Sequence, residues 1–401
     1  MNTTQKILSK VPEVTLFFWI IKVLCTTVGE TAADFLNVNL NLGLTVTSVI
    51  MGVLLIALLF VQFKTKKYTP VIYWLTVALI SVFGTLVTDN LSTNLNIPLE
   101  VTTVVFTILL ALTFGAWYLK EKTLSIHSIF TPRREAFYWL TILFTFALGT
   151  ASGDLMAESL GFGYLTTGLI IATLIAIFAV GWRMGLNAII SFWFIYILTR
   201  PLGASIGDLL TQPHENGGLG LGPTLTTILF IGGIIGSVMY LALSHKDVVR
   251  DPLGEEKEDS KKSAHAFTQL VVVVGILLVL SIGGYGVRHQ QLQQVATPTN
   301  TAGGTSAPVG PIGDVSHLVA ITTAMDTAVT TGDWTTANSR ANDLEYAWDT
   351  EQAQRKPMNP AAWTHVDGAI DKVLREVRAV NPNQQTGHAA LTVLLDALKN
   401  P

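Results

Sequence analysis

The sequence predicts an all-α, polytopic integral membrane protein. Its eight transmembrane helices form four parallel two-helix repeats, followed by a ninth transmembrane helix and a small extracytoplasmic helical bundle. Three observations predict it. Half of the 401 residues are hydrophobic while 13% are charged, and mean hydropathy is +0.48, the balance of a chain that dissolves in lipid. Apolar runs of roughly 20 residues, the length that spans a hydrocarbon core, recur near 14–36, 43–63, 70–89, 99–119, 136–156, 163–182, 186–208, 223–244 and 267–287. The third observation is a spacing of Trp, Gly and Asp that occurs four times.

The loops between these runs fix an orientation. Fifteen Lys and Arg fall on one side, in the N-terminal tail (Lys6, Lys10), in FKTKK, around Lys120 to Arg134, at Arg183 and in HKDVVRDPLGEEKEDSKK. The loops near 37–42, 90–98, 157–162 and 209–222 carry none. Positive loops stay inside, so the expectation is a plasma-membrane protein with a cytoplasmic N-terminus and, after nine crossings, an outer C-terminal region. No small-residue cleavage site follows the first apolar run, which is expected to stay as an anchor.

Four units fill residues 1–245, near 12–65, 68–120, 135–183 and 186–245, and a charged cytoplasmic loop (246–266) leads to the ninth helix. Residues 288–313, rich in Pro, Gly and Thr without hydrophobic periodicity, read as a flexible linker. Residues 314–401 regain helical spacing, with Asp333 and Asn359 placed as N-caps and Pro360 at a first helical position. Trp334, Trp348 and Trp363 are expected to fill the core of this bundle.

Aligning the odd helices on Trp19, Trp74, Trp139 and Trp193 places a glycine ten residues later (Gly29, Gly84, Gly149, Gly203) and an aspartate fifteen later (Asp34, Asp89, Asp154, Asp208). The even helices echo each other through Thr47, Thr102, Thr166 and Thr226. In this pattern, over about residues 10–245, the chain resembles a bacterial family of membrane-anchored proteins built from four tandem repeats of unknown function. The resemblance implies two transmembrane segments and a characteristic tryptophan per repeat, and no biochemical role.

Because each unit crosses twice, all four units insert in the same direction, and their aspartates approach one side of the membrane. At 1.5 Å rise per residue an Asp lies roughly 22 Å beyond its Trp. With the tryptophans as interfacial anchors, the aspartates form a ring near the outer mouth, the arrangement that attracts cations. Glu30 and Glu158 sit one turn from Asp34 and Asp154 and thicken the ring, the threonines add neutral oxygens, and the glycines serve close helix packing. Crowding and burial raise carboxyl pKa values, which favours proton exchange. Lys22 and Arg200, inside odd helices, are candidate gates or ion-pair partners.

The competing reading makes the four aspartates helix punctuation where the chain leaves lipid. Against it, Asp recurs while the aligned neighbours Glu30, Thr85, Thr150 and Ala204 differ. A single cysteine, Cys25, excludes an intramolecular disulfide and a multi-cysteine metal site. No phosphate loop, nucleophile motif or zinc-binding spacing of the eight histidines occurs, so no enzyme activity and no cofactor are expected. A net charge of −3 without a basic aromatic patch gives no sign of nucleic-acid binding.

The functional expectation is therefore a transporter for a cation. Oxygen ligands suit a hard divalent metal such as Mn²⁺ or Mg²⁺, and proton-coupled export would use the raised carboxyl pKa values. The alternative is a membrane-anchored sensor or scaffold that presents the C-terminal bundle to an envelope or protein partner.

Overall fold

Helix starts are written at the basic end of each repeat. Thr15 Oγ1 accepts from the Phe18 amide (3.4 Å), Thr131 Oγ1 from Arg134 (3.3 Å), and Asn187 Oδ1 from Ile189 and Ile190. Pro70 and Pro132 open their helices in the first turn, where the missing N–H costs nothing. Lys64, Lys120 and Arg183 stand in the last turns of three even helices, where a cation meets the negative end of the dipole.

The computed structural model describes residues 9–36, 43–95, 97–160, 162–212, 218–247, 286, 311–355, 358–379 and 382–400. Eight helices are long and apolar enough to cross a membrane: α1 (Leu16–Asp34), α2 (Leu44–Lys64), α3 (Pro70–Asp89), α4 (Leu99–Glu121), α5 (Pro132–Asp154), α6 (Gly163–Arg183), α7 (Ala188–Thr211) and α8 (Gly222–Ser244). The expected charged loop, ninth helix and linker lie outside the described residues, apart from Lys246, Asp247, Gly286 and residues 311–313.

Odd and even helices differ in kind. In α1, α3, α5 and α7, 56–67% of the spanning window is buried, against 17–28% in α2, α4, α6 and α8. The odd helices form an inner ring in the order α1, α3, α5, α7, with α7 returning to α1. Each even helix rests on the odd helix of the next repeat. Gly52 of α2 faces the Phe83 ring, Trp117 of α4 stacks on Phe137, and Phe178 of α6 stacks on Phe194. The cycle closes where Thr227 of α8 donates to Thr31 of α1 (2.8 Å).

Two repeated contacts hold the inner ring. A Cβ built on Gly29 would stand 2.6 Å from Ser81 Cβ, one on Gly84 2.9 Å from Phe146 Cβ, one on Gly149 2.5 Å from Arg200 Cβ, and one on Gly203 2.5 Å from Thr26 Cβ. Each glycine thus receives the residue seven past the tryptophan of the next repeat, and the fourth receives that of the first. The tryptophans make the second ring: Trp74 packs on Phe18, Trp139 on Tyr73, Trp193 on Tyr138 and Trp19 on Phe192.

The interfacial-anchor expectation for Trp19, Trp74, Trp139 and Trp193 therefore gives way to inter-repeat packing. Trp74, Trp139 and Trp193 are buried, Trp19 is half-buried, and Trp193 Nε1 donates to the Leu124 carbonyl (2.9 Å). An aromatic wedge between adjacent inner helices gains contact on both ring faces, which a headgroup position does not give.

The second compact unit holds most of the remaining described chain: α9 (Ser316–Thr331), α10 (Trp334–Arg355), α11 (Pro360–Val377) and α12 (Gln384–Lys399). Asp333 accepts from the Thr336 amide (3.1 Å) and Asn359 from Ala362 (3.1 Å). Trp348 and Trp363 stack in its core with centroids 3.5 Å apart, and Trp334 packs against that core partly exposed.

A candidate site on the axis of the inner ring

The residue before each tryptophan is aromatic: Phe18, Tyr73, Tyr138 and Phe192, all buried. Steps of four residues from them run up the inner helices, since positions four apart share a helix face. The next level is Lys22, Val77, Ile142 and Tyr196, then Thr26, Ser81, Phe146 and Arg200, then Glu30, Thr85, Thr150 and Ala204. Every one of these sixteen side chains is buried. The following step reaches Asp34, Asp89, Asp154 and Asp208, each half-buried. Levels lie about 6 Å apart at 1.5 Å per residue.

Arg200 organises the middle of this axis. Its guanidinium is fully buried and donates from Nη2 to Glu30 Oε2 (2.8 Å), to Thr150 Oγ1 (2.7 Å) and to Thr85 Oγ1, while Nη1 reaches the Thr26 carbonyl (3.5 Å). Glu30, Thr85 and Thr150 occupy the same register in repeats one, two and three. The fourth repeat carries Ala204 there, one turn beyond Arg200 itself. A single cation thus gathers the equivalent position of the other three repeats, and the ion pair with Glu30 is the one charge pair buried across the inner ring among the described residues.

Lys22 sits one level closer to the aromatic end. Its Nζ lies 3.8 Å from the centre of the Phe146 ring and 4.2 Å from that of Tyr196, an arrangement in which ring faces attract a cation. Among the described residues it has no hydrogen-bond partner, and neither do Arg200 Nε and Tyr196 Oη. Below it, Tyr73 and Tyr138 are joined hydroxyl to hydroxyl. The axis is therefore blocked by aromatic rings at one end and polar toward the aspartates.

The expected ring of carboxylates is only partly assembled. Asp34, Asp89 and Asp154 are the last residues of α1, α3 and α5, and Asp208 lies inside the final turn of α7. They share one end of the bundle, but among the described residues no three His, Cys, Asp or Glu side chains gather as a metal-binding group. Glu30 is turned to Arg200, and the side chain of Glu158 lies outside the described residues. Three threonines spend their hydroxyls on their own helices: Thr47 donates to Gly43, Thr102 to Pro98 and Thr226 to Gly222. Thr166 is exposed, and the buried third-repeat equivalent is Thr167, thirteen residues after Asp154, as Thr47 and Thr102 are thirteen after theirs.

At the aromatic end the chain closes through polar contacts that spacing did not reveal. Lys10 Nζ pairs with buried Glu135 (2.5 Å) and donates to the Phe63 carbonyl (3.1 Å), and Gln62 also donates to Glu135 (3.1 Å). Tyr68 Oη donates to Asp247 Oδ2 (2.5 Å), and the Glu13 amide donates to the Asp247 carbonyl. Burial lifts the Asp247 carboxyl above its ordinary range, against the hydrogen bond from Tyr68, and burial likewise raises the Tyr68 hydroxyl.

A family model described as Repeat of Unknown Function (DUF347) matches residues 17–68, 72–123, 137–184 and 191–247. The chain belongs to that family. The four matches each begin two residues before a tryptophan and run through one odd and one even helix, so a DUF347 repeat coincides with the two-helix unit of the ring. No curated protein and no solved structure matches the chain.

Proposed function

We propose that this protein is a multi-pass membrane transporter for a cation, with the axis of the four inner helices as its path. The buried Glu30–Arg200 pair carries the reading. Holding charges inside a membrane bundle is costly, and such groups ordinarily mark ion pathways. The pair sits where the four repeats converge, and it ties all four inner helices together.

In this reading the aspartate level draws cations to the mouth, and Glu30, one turn below Asp34, is the inner acceptor. Arg200 occupies that acceptor and acts as the gate; its bonds to Thr85, Thr150 and the Thr26 carbonyl hold it when it leaves the carboxylate. The aromatic level closes the path beyond. A hard divalent metal such as Mn²⁺ is the substrate that oxygen-only ligation favours, and loading it requires the aspartates to draw together as Arg200 leaves Glu30. Carboxylates that exchange protons for metal couple export to proton entry. The Lys- and Arg-rich end is cytoplasmic in this scheme, the bundle of α9 to α12 is outside, and no covalent step is involved.

The test is flux of divalent and monovalent cations in vesicles reconstituted with the full chain, compared with Glu30→Gln and with a protein in which all four aspartates are Asn. Saturable flux in wild type that both folded variants lose supports the reading. Absence of flux in folded wild type for every cation overturns it. Deleting residues 289–401 separates the scaffold alternative, because transport along the axis survives that deletion.

A further inference from the structure

Before its first helix the chain forms a strap at the basic end of the body. Ser9, Lys10 and Val11 are buried, and three backbone bonds tie the segment to turns of other repeats. The Tyr68 amide donates to the Ser9 carbonyl (2.9 Å), the Lys10 amide to that of Ile129 (3.0 Å) and the Glu13 amide to that of Asp247 (2.8 Å). Tyr68 precedes α3, Ile129 precedes α5 and Asp247 follows α8.

One side chain of this strap sits in a position built for a cation. Lys10 Nζ lies 2.5 Å from Glu135 Oε2 and 3.1 Å from the Phe63 carbonyl oxygen. Glu135 is fully buried in the first turn of α5, where the helix dipole favours a carboxylate. Phe63 stands in the last turn of α2; its carbonyl has no partner further along the helix, and the dipole is negative there. Gln62 adds another oxygen to the cluster. Its Nε2 donates to Glu135 Oε1 (3.1 Å), while its Oε1, in a residue 1% exposed, has no partner among the described residues. The cluster thus holds one more buried acceptor than Lys10 uses, which a plain ion pair does not require. Carboxylate and carbonyl oxygens are the ligands that replace water around a cation, and an ammonium is a compact charge whose place such an ion can take.

We propose that Glu135, the Phe63 carbonyl and Gln62 form a site for a monovalent cation of potassium's size, which Lys10 occupies as a tethered stand-in, so that a bound cation and the docked strap exclude each other. The charge at the site is the same with either occupant. Only Lys10 brings the strap with it, so a cation in the site releases the strap from α2 and α5. Docking of the strap expels the cation, with equal coupling in both directions. The site stands at the opposite end of α5 from Thr150 and the Glu30–Arg200 pair, and its occupancy does not depend on what the protein transports.

The experiment is equilibrium binding of radiolabelled rubidium, a cation of potassium's size, to the full chain in lipid nanodiscs, with N-methylglucamine replacing it at fixed ionic strength. Hydrogen exchange of residues 9–15 is followed in the same buffers. Lys10→Met vacates the site while keeping the side chain's length, and is expected to bind rubidium saturably; adding Glu135→Gln is expected to abolish that binding. Wild type is expected to bind at least about tenfold more weakly than Lys10→Met, because its tethered ammonium competes at high effective concentration. Its strap amides are expected to exchange faster as rubidium saturates the site. No saturable binding by folded Lys10→Met overturns the proposal, as does binding that survives Glu135→Gln, or equal affinity of wild type and Lys10→Met. Wild-type exchange indifferent to rubidium overturns it as well. If Lys10→Met folds in no buffer, that wild-type measurement decides alone: a saturable rise in exchange supports the proposal, and no rise overturns it. Because nothing in this experiment reads transport, it stands or falls separately from the cation flux assay.

Discussion

In the membrane body, helices meet where side chains are missing. Gly29, Gly84, Gly149 and Gly203 admit Ser81, Phe146, Arg200 and Thr26 of the neighbouring repeat. In the bundle of α9 to α12 they meet where side chains are large: Trp348 stacks on Trp363, and Leu318, Met325, Leu344, Val366, Ile370 and Leu391 fill the remaining space. The difference follows from solvent. Lipid tails are as apolar as leucine, so the body gains nothing by hiding hydrophobic surface and is held by close contact and interhelical hydrogen bonds. Water rewards burial directly, and the bundle has a conventional apolar core. Polar groups follow the same division. The body carries them at its centre, while the bundle keeps most of its polar groups at caps and on its surface.

The largest break in that comparison is expected from Glu30→Ala. It strands Arg200 without a counter-charge and is expected to cost about 3–5 kcal/mol, read as loss of folded protein in detergent. The double variant Glu30→Ala, Arg200→Met should recover much of the loss; if it does not, the pair is not what binds α1 to α7. A milder test sets one glycine against another in the full chain, with hydrogen exchange reporting each region separately. Gly149→Ala pushes a methyl into Arg200 and Pro201 and is expected to destabilise the body by about 1–3 kcal/mol. Gly368, inside α11, has nothing within 4 Å of a built Cβ, so Gly368→Ala is expected to stabilise the bundle by about 0.5–1 kcal/mol. Effects of the same sign would deny the difference in packing.

The smallest effect concerns Asp247. Its folded carboxyl holds the proton more tightly than the unfolded one. Its contribution is therefore most favourable below the ordinary Asp range and is lost as pH rises from there toward the raised folded value. Exchange protection of residues 9–15 and 245–247 should fall as pH climbs from about 4 to 7. Asp247→Asn should flatten that profile, and an unchanged slope would assign it to other groups.

Much of the body was legible in the chain. The eight spans came from length and hydropathy, and the register of Trp, Gly and Asp from exact spacing. Two further signals of the same kind were present. The aromatic residue before each tryptophan reads Phe, Tyr, Tyr, Phe, and the constant thirteen-residue offset selects Thr167 over Thr166. The Lys10–Glu135 and Tyr68–Asp247 contacts had no such signal. They join residues 125 and 179 positions apart, and no local pattern encodes a pairing at that range.

By itself, then, the sequence determined that four like units cross the membrane together and which residues are equivalent among them, because repetition and hydropathy are properties read along the chain. Only the tertiary structure decided that the units close into a ring, that the tryptophans are wedges between inner helices, and that Arg200 meets Glu30, Thr85 and Thr150. The reason is rotation. The inward faces of the odd helices carry glycines, threonines and the few charged groups, but nothing along the chain says how one helix turns against the next, and a level shared by four helices exists only once they are packed around one axis.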